Sequence, residues 1–383
     1  MEPSLIPPTA LLDYCERHGE WLRQTIERLV SLESPSTDKA AVDRCGAAVE
    51  ELLVSAGGDV RRLRQDTRGD HLRAEWSGGE AQVLLLGHFD TVWAVGQLER
   101  MPLRRTEGRL HGPGVFDMKA GIGVAMLAVR ALQALAAAPL PRVVMLWTTD
   151  EEIGSPTSRA AIEEEARRSA AVLVLEPSLP GGGAKTSRKG VGEFELAVHG
   201  VSAHAGVDPD KGASAIHELA RQILAVEALQ DLPQGISVNV GHIQGGTRPN
   251  VVADYASAKI DVRVPTLADA GRLGGALRGL RPQIPGTRLE MTGGIERPPF
   301  ERLPGVARLY EQAREAASAL GRDLAEGGTG GASDGNFTGA LGVPTLDGLG
   351  PMGGGAHALH EHVIEADLPW RAALLAALLT RLH

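Results

Sequence analysis

Apolar positions recur along this chain with two different periods. Residues 21–32 and 42–56 carry them at helical spacing, and Gly57-Gly58 stops the second run. Strand-like runs follow at 72–76 and 83–87. Val83-Leu84-Leu85-Leu86 is apolar at every position, which predicts a strand covered on both faces. An Ala-rich helix is predicted to begin near Met118, followed by a strand at 143–147, a helix at 158–168 and a strand at 172–175. Apolar strands alternating with helices predict an α/β fold with a mostly parallel sheet.

The pattern changes after Gly181-Gly182-Gly183. Phe194-Glu195-Leu196-Ala197-Val198 alternates, as do 237–240 and 258–264, which is the signature of half-exposed strands. Helices are predicted at 213–228 and 267–279. These elements form a small α+β unit that ends near Arg297-Pro298-Pro299, after which helix and strand patterns resume. The predicted organisation is one α/β domain made of 1–187 and 298–383, with a second domain inserted at 188–297.

A length of 383 residues suits two domains. Net charge of −9 disfavours a phosphate backbone as partner, so no nucleic acid is expected. The two cysteines, Cys15 and Cys45, lie in helix-like segments and support neither a disulfide framework nor a thiolate metal cluster. The first twelve residues have no basic start and are broken by Pro3, Pro7 and Pro8. The longest apolar stretch, at 125–140, reads as a buried helix too short to span a bilayer. A cytoplasmic protein with no membrane partner is therefore expected.

Candidate chemistry sits at the predicted strand ends. His88 and Asp90 follow the 83–87 strand, with Asp90 two residues on and placed to fix the His88 tautomer. Taken alone, this pair also reads as a solvated turn. Asp117 follows Gly112-Pro113-Gly114 and precedes the long helix, where a helix N-cap is the competing reading. Glu151 and Glu152 follow the 143–147 strand, and Glu176 follows the 172–175 strand. His357, His360 and His362 follow a Gly-rich loop. Each residue alone has an ordinary surface explanation. Together they supply His and carboxylate at four or five separate strand ends, a donor set for paired divalent metals. One carboxylate of such a pair ligates while its neighbour handles a proton.

The motifs Gly87-His88-Phe89-Asp90-Thr91-Val92, Asp117-Met118-Lys119-Ala120-Gly121, Asp150-Glu151-Glu152-Ile153-Gly154-Ser155 and Leu175-Glu176-Pro177 together resemble the zinc aminoacylase/carboxypeptidase family. That family includes glutamate carboxypeptidase (carboxypeptidase G), acetylornithine deacetylase and succinyl-diaminopimelate desuccinylase. The resemblance runs nearly the whole chain and is nearest the glutamate carboxypeptidase branch. It implies two zinc ions per subunit, with cobalt or manganese as alternatives. His88 and Glu176 would bind one metal, Glu152 and His357 the other, and Asp117 both. His357 is chosen over His360 because it follows the Gly-rich loop and precedes Glu361 by four. Asp90 would orient His88, and Glu151 would be the general base. In relatives the peptide after the bridging Asp is cis.

The inserted domain matches the family's lid motif at Gly200-Val201-Ser202-Ala203-His204-Ala205-Gly206. The resemblance implies that His204 stabilises the oxyanion, often across a dimer interface, and that Asn250 and Arg263 meet the substrate carboxylate. A turn Asn and a solvated strand Arg are the plain alternatives. The implied activity is hydrolysis of an amide that releases an amino acid with a free carboxylate, glutamate carboxypeptidase-like. The implied substrate is a small N-acyl amino acid or peptide, and the implied assembly is a homodimer through the lid domain. Alternatives are an N-acyl amino acid deacylase or dipeptidase of the same chemistry, or a non-catalytic metal-dependent scaffold. A dinuclear phosphoesterase would bring several basic residues to the ligand loops, and these supply mainly Lys119.

Overall fold

The computed structural model of the protein describes residues 6–135 and 140–382. The chain divides into two compact units, Met1–Ser187 with Arg302–Gly328 and Ser333–His383, and Arg188–Glu301 with Thr329–Ala332. Among the described residues no helix is long and apolar enough to cross a membrane.

The first unit is built on a six-stranded sheet. Its strands lie side by side in the order Asp59–Leu63, His71–Trp76, Arg142–Thr148, Gln82–His88, Ala171–Val174 and Thr345–Leu346. The last four are mutually parallel, and the first two are antiparallel additions at one edge. The run Gln82–His88 is buried at every position, as its continuous apolar pattern requires. Alternate side chains enter different layers. Val83, Leu85, Val143, Met145, Trp147 and Leu173 join the larger core with helices Lys39–Ser55, Ala120–Ala134 and Leu368–Leu379. Leu84, Leu86, Val144, Leu146, Val172 and Val174 pack on the other face against Ile162, Ala166 and Phe337.

The second unit has its own core around a four-stranded antiparallel sheet, ordered Ser237–Gly245, Tyr255–Val264, Gly190–His199, Arg288–Arg297. Helices Ala215–Glu227 and Leu267–Arg278 complete it. The strands Asp59–Leu63 and Arg288–Arg297 have no counterpart in the sequence reading. The first is mostly charged, and the second is interrupted by Gly293-Gly294 and a register shift between Ile295 and Arg297. The first shows neither an apolar run nor clean alternation, and the alternation of the second, Arg288 to Thr292, is cut short by the glycines.

The long helix starts at Ala120, later than Met118, because Asp117 and Met118 have non-helical backbone angles. The N-cap position is Lys119, so the N-cap reading of Asp117 does not hold. Of the apolar stretch at 125–140, positions 136–139 lie outside the described residues.

Candidate metal centre

Three parallel strands end together. Register pairs His88 with Thr148 and Leu86 with Val174. His88 closes its strand, while Glu151 and Glu152 follow Thr148 through a tight 3-10 turn. Glu176 lies two residues past Val174. All therefore emerge at the carboxyl edge of the sheet, where open α/β folds place ligands. The backbone there is closely packed. A Cβ on Gly121 would stand 2.2 Å from the Leu175 carbonyl oxygen, and one on Gly350 would stand 2.1 Å from it. Only glycine permits both approaches next to Glu176.

The side chains converge. The His88 ring is buried, and its Nε2 lies 3.4 Å from Asp117 Oδ1, 3.3 Å from Glu176 Oε1 and 3.9 Å from Glu151 Oε2. His357 Nε2 lies 3.3 Å from Asp117 Oδ2 and 3.1 Å from Glu152 Oε2. Asp117 thus presents one oxygen to each imidazole. The peptide Asp117-Met118 is cis. Ligand atoms of His88, Glu151 and Glu176 lie within 4.8 Å of one another, as do those of His88, Asp117 and Glu152. His357 is the imidazole at these carboxylates. His362 instead places Nδ1 2.9 Å from the His360 carbonyl and tilts its ring against His111, with centroids 5.3 Å apart.

The residues fit a divalent metal pair. Among the described residues, His88 Nε2 and Glu152 Oε1 are buried without a hydrogen-bond partner, a condition that costs about 1–3 kcal/mol per group when nothing answers it. Four carboxylates at one spot repel unless a cation lies among them. The donors are imidazole and carboxylate only. Cys15 is a buried thiol, pushed up to about 12 by its burial, and takes no part. Such a set suits zinc, cobalt or manganese.

Protonation follows the same crowding. Burial opposes a charge on His88, but Asp117, Asp90 and Glu176 outweigh it and hold its pKa well above the imidazole range. Asp117 and Glu152 raise His357 to about 10. Burial pushes Glu152 up, helped by the charge of Asp117, whereas the two imidazoles overcome burial at Asp117 and pull it down. Without metal, the imidazoles therefore hold protons where cations would sit.

A buried polar shell sets this geometry. Asp90 meets His88 Nδ1 at 3.1 Å through its main-chain oxygen and 3.3 Å through Oδ1. Its carboxylate also accepts from Ser36 Oγ at 2.6 Å and from the amides of Glu151 and Glu152 at 3.3 and 3.2 Å. One aspartate thus orients both the histidine and the Glu151–Glu152 turn. Asp334 grips the same turn from either side, accepting from Thr148 Oγ1 at 3.1 Å and from the Ser155 hydroxyl. His71 contributes through Thr149 and Thr157, and Asp150 accepts from the Thr157 amide and hydroxyl. Asp334 and His71 are absent from the sequence reading, and Glu361 (below) enters it only as a spacing mark for His357. The available signal for Asp334 was an isolated acid in the Gly-rich run Gly330-Gly331-Ala332-Ser333-Asp334-Gly335.

The remaining candidates lie in the second unit. His204 and Asn250 are neighbours: His204 bridges Val251, and the Ala205 amide donates to the Asn250 carbonyl at 3.0 Å. Both residues are exposed. Arg263 pairs its planar fork with Asp261, at 3.0 and 2.9 Å. The strand Tyr255–Val264 separates these features. Its eight steps from Tyr255, which pairs with His199 where the His204 loop begins, to Arg263 span about 26 Å. Within one chain, then, Arg263 and the His204–Asn250 pair do not share a location.

Residues 84–381 match the model of Peptidase family M20/M25/M40. The chain belongs to this family. As a member it is a metal-dependent hydrolase of amide and peptide bonds. The M20 chain is 28% identical to carboxypeptidase G2 of Pseudomonas sp. (strain RS-16), over 93% of this chain and 88% of that one. It is 27% identical to succinyl-diaminopimelate desuccinylase of Delftia acidovorans, over 90% and 94%. Its fold matches the crystal structure of aminopeptidase PepT from Bacillus cereus with a TM-score of 0.79 at 22% identity, covering 95% of this chain and 98% of that one. Family members typically hold two metal ions, and the converging groups above are the candidate ligands for them.

Proposed function

We propose that the protein is a dinuclear zinc carboxypeptidase that releases an amino acid with a free α-carboxylate, of glutamate type. Support comes from the likeness to carboxypeptidase G2 along 93% of the chain. The observation that carries the reading is the division of Asp117 between His88 and His357. In this assignment His88 and Glu176 hold one metal, Glu152 and His357 the other, and Asp117 both. Bound metal ions at such a site polarise a carbonyl and acidify water. Glu151 takes the proton of the attacking water and returns it to the leaving amine. His204 donates to the oxyanion, and Arg263 and Asn250 meet the substrate carboxylate. For a substrate to meet all three, Arg263 must come from one subunit and the His204–Asn250 pair from another, which is the reason to propose a homodimer. We place the enzyme in the cytoplasm.

A second reading, an N-acyl amino acid deacylase, is favoured by the 27% identity to a desuccinylase over 90% of the chain. Assay of the zinc-loaded protein against folyl-glutamate, N-acyl amino acids and dipeptides separates the two. Glutamate release from the first supports the carboxypeptidase reading. Release only from short acyl groups supports the deacylase. Fractionation of the source cells tests the location, and activity confined outside the cytoplasm rejects it.

A further inference from the structure

Glu361 is fully buried, yet it belongs to no candidate role above. Its carboxylate takes four donors. Oε1 accepts from the amides of Phe116 at 2.9 Å and Asp117 at 3.0 Å. Oε2 accepts from the Gly114 amide and from Trp93 Nε1, both at 3.0 Å. Three of the donors belong to the short loop that ends at Asp117, 244 residues away in sequence. Glu361 also sits four positions after His357, with two consecutive turns between them closed by Ala358 N to Gly355 O and Glu361 N to Ala358 O, each at 2.9 Å. One carboxylate therefore ties the loop carrying Asp117 to the loop carrying His357. An ionised carboxylate is acceptor-only and offers about four lone-pair sites, so this set of donors saturates it.

We propose that Glu361 is a positioning residue that sets the Asp117–His357 separation, and so the affinity of the metal position those two share. The inference rests on the reading of Asp117 as a metal ligand. It differs from a purely structural role in what it predicts for metal binding by protein that remains folded. Loss of outer partners of metal ligands typically weakens binding about 10–100-fold.

The test is equilibrium zinc competition against a chromophoric chelator, with melting and circular dichroism of the metal-free chain alongside. The variants are Glu361→Gln, Trp93→Phe and Asp117→Asn. Glu361→Gln turns an amide nitrogen toward backbone N–H groups, so one of two zinc ions is expected to bind about 10–100-fold more weakly while the circular dichroism is kept. Trp93→Phe removes a single donor and leaves the carboxylate, so a smaller weakening at the same metal position is expected. Wild-type affinity for both ions in folded Glu361→Gln overturns the proposal. If Glu361→Gln does not fold, Trp93→Phe decides: unchanged zinc affinity counts against the proposal and weakened affinity supports it. Wild-type affinity in Asp117→Asn instead overturns the underlying ligand assignment.

Discussion

His357 carries its imidazole on a left-handed backbone, with φ of 59°. That conformation is tolerated by His better than by most side chains. The ring meets two carboxylates and is raised to about 10, while buried His88 is raised well above the usual imidazole range. A group whose folded pKa exceeds its unfolded value stabilises fully below the unfolded value, near 6.5, and loses that contribution as pH rises through the folded value. The metal-free chain should thus lose melting temperature between neutral pH and pH of about 10, and the fall should be smaller in His357→Ala. Metal must displace the same protons. Calorimetry at pH of about 8 in buffers of different ionisation enthalpy should show roughly two protons released as both sites fill. No release would contradict the ligand role of the two imidazoles. At Glu151, the base role separates from a ligand role by substitution: Glu151→Ala should abolish turnover and keep both metals. Retained turnover rejects the role. His204→Ala should lower kcat by about 10²–10³, whereas Arg263→Ala should act mainly on KM. An unchanged KM removes Arg263 from the substrate contacts.

At the scale of elements, the site depends on backbone closeness and on buried caps. Gly350 presses on the Leu175 carbonyl at a distance that leaves no room for a methyl group. Gly350→Ala should cost about 1–3 kcal/mol through forced backbone shift, and the displaced Glu176 should weaken zinc binding in the same variant. A variant with unchanged melting and zinc affinity would show that the loop yields freely. In the second unit, Glu218 on the helix Ala215–Glu227 is buried and accepts from Gln222 Nε2 at 2.6 Å and from the amides of Gln283 and Ile284 at 3.0 and 2.6 Å. It fastens the helix to the chain entering the strand Arg288–Arg297. Glu218→Ala leaves buried amides unanswered and should cost about 1–3 kcal/mol. Burial opposes ionisation of Glu218, but these donors prevail and its pKa is lowered below 4.5. A depressed carboxylate stabilises above its unfolded value and loses that contribution as pH falls through the folded one. The deficit of the variant in denaturant melts should therefore be full at neutral pH and shrink below about pH 4.

At the scale of the molecule, the second unit leaves an edge uncovered. Ser237–Gly245 is an outer strand of its sheet, and positions 241–245 are exposed, with Ile243 at 61%. Leu224 and Leu232 are exposed as well. A long unprotected edge with apolar residues invites pairing with another strand. This supports the proposed homodimer, whose mass by light scattering should be twice the 40.3 kDa chain. Ile243→Glu should shift it to monomer, and a wild-type monomer at working concentration would reject the assembly.

Periodicity and strand-end chemistry could be read from the sequence because both are local. The apolar run before His88, the adjacent acids after Trp147 and Glu176 after a buried strand each state their own position on an α/β sheet. The family motifs then assign roles to those residues. What the sequence could not rank was any relation between distant segments. Family spacing preferred His357 to His360, but the contact itself depends on two tight turns after Gly355 that accompany the His357 ring at Asp117. The anchoring of the Glu151–Glu152 turn by Asp334, and of the Asp117 loop by Glu361, joins residues 179 to 247 positions apart. Arg263 is held by Asp261, two residues away on its own strand, a pairing that spacing alone leaves open. Hydrophobic period reports which face a residue takes. Which buried carboxylate receives which amide is decided only when the folded path of the chain brings donor and acceptor within about 3 Å.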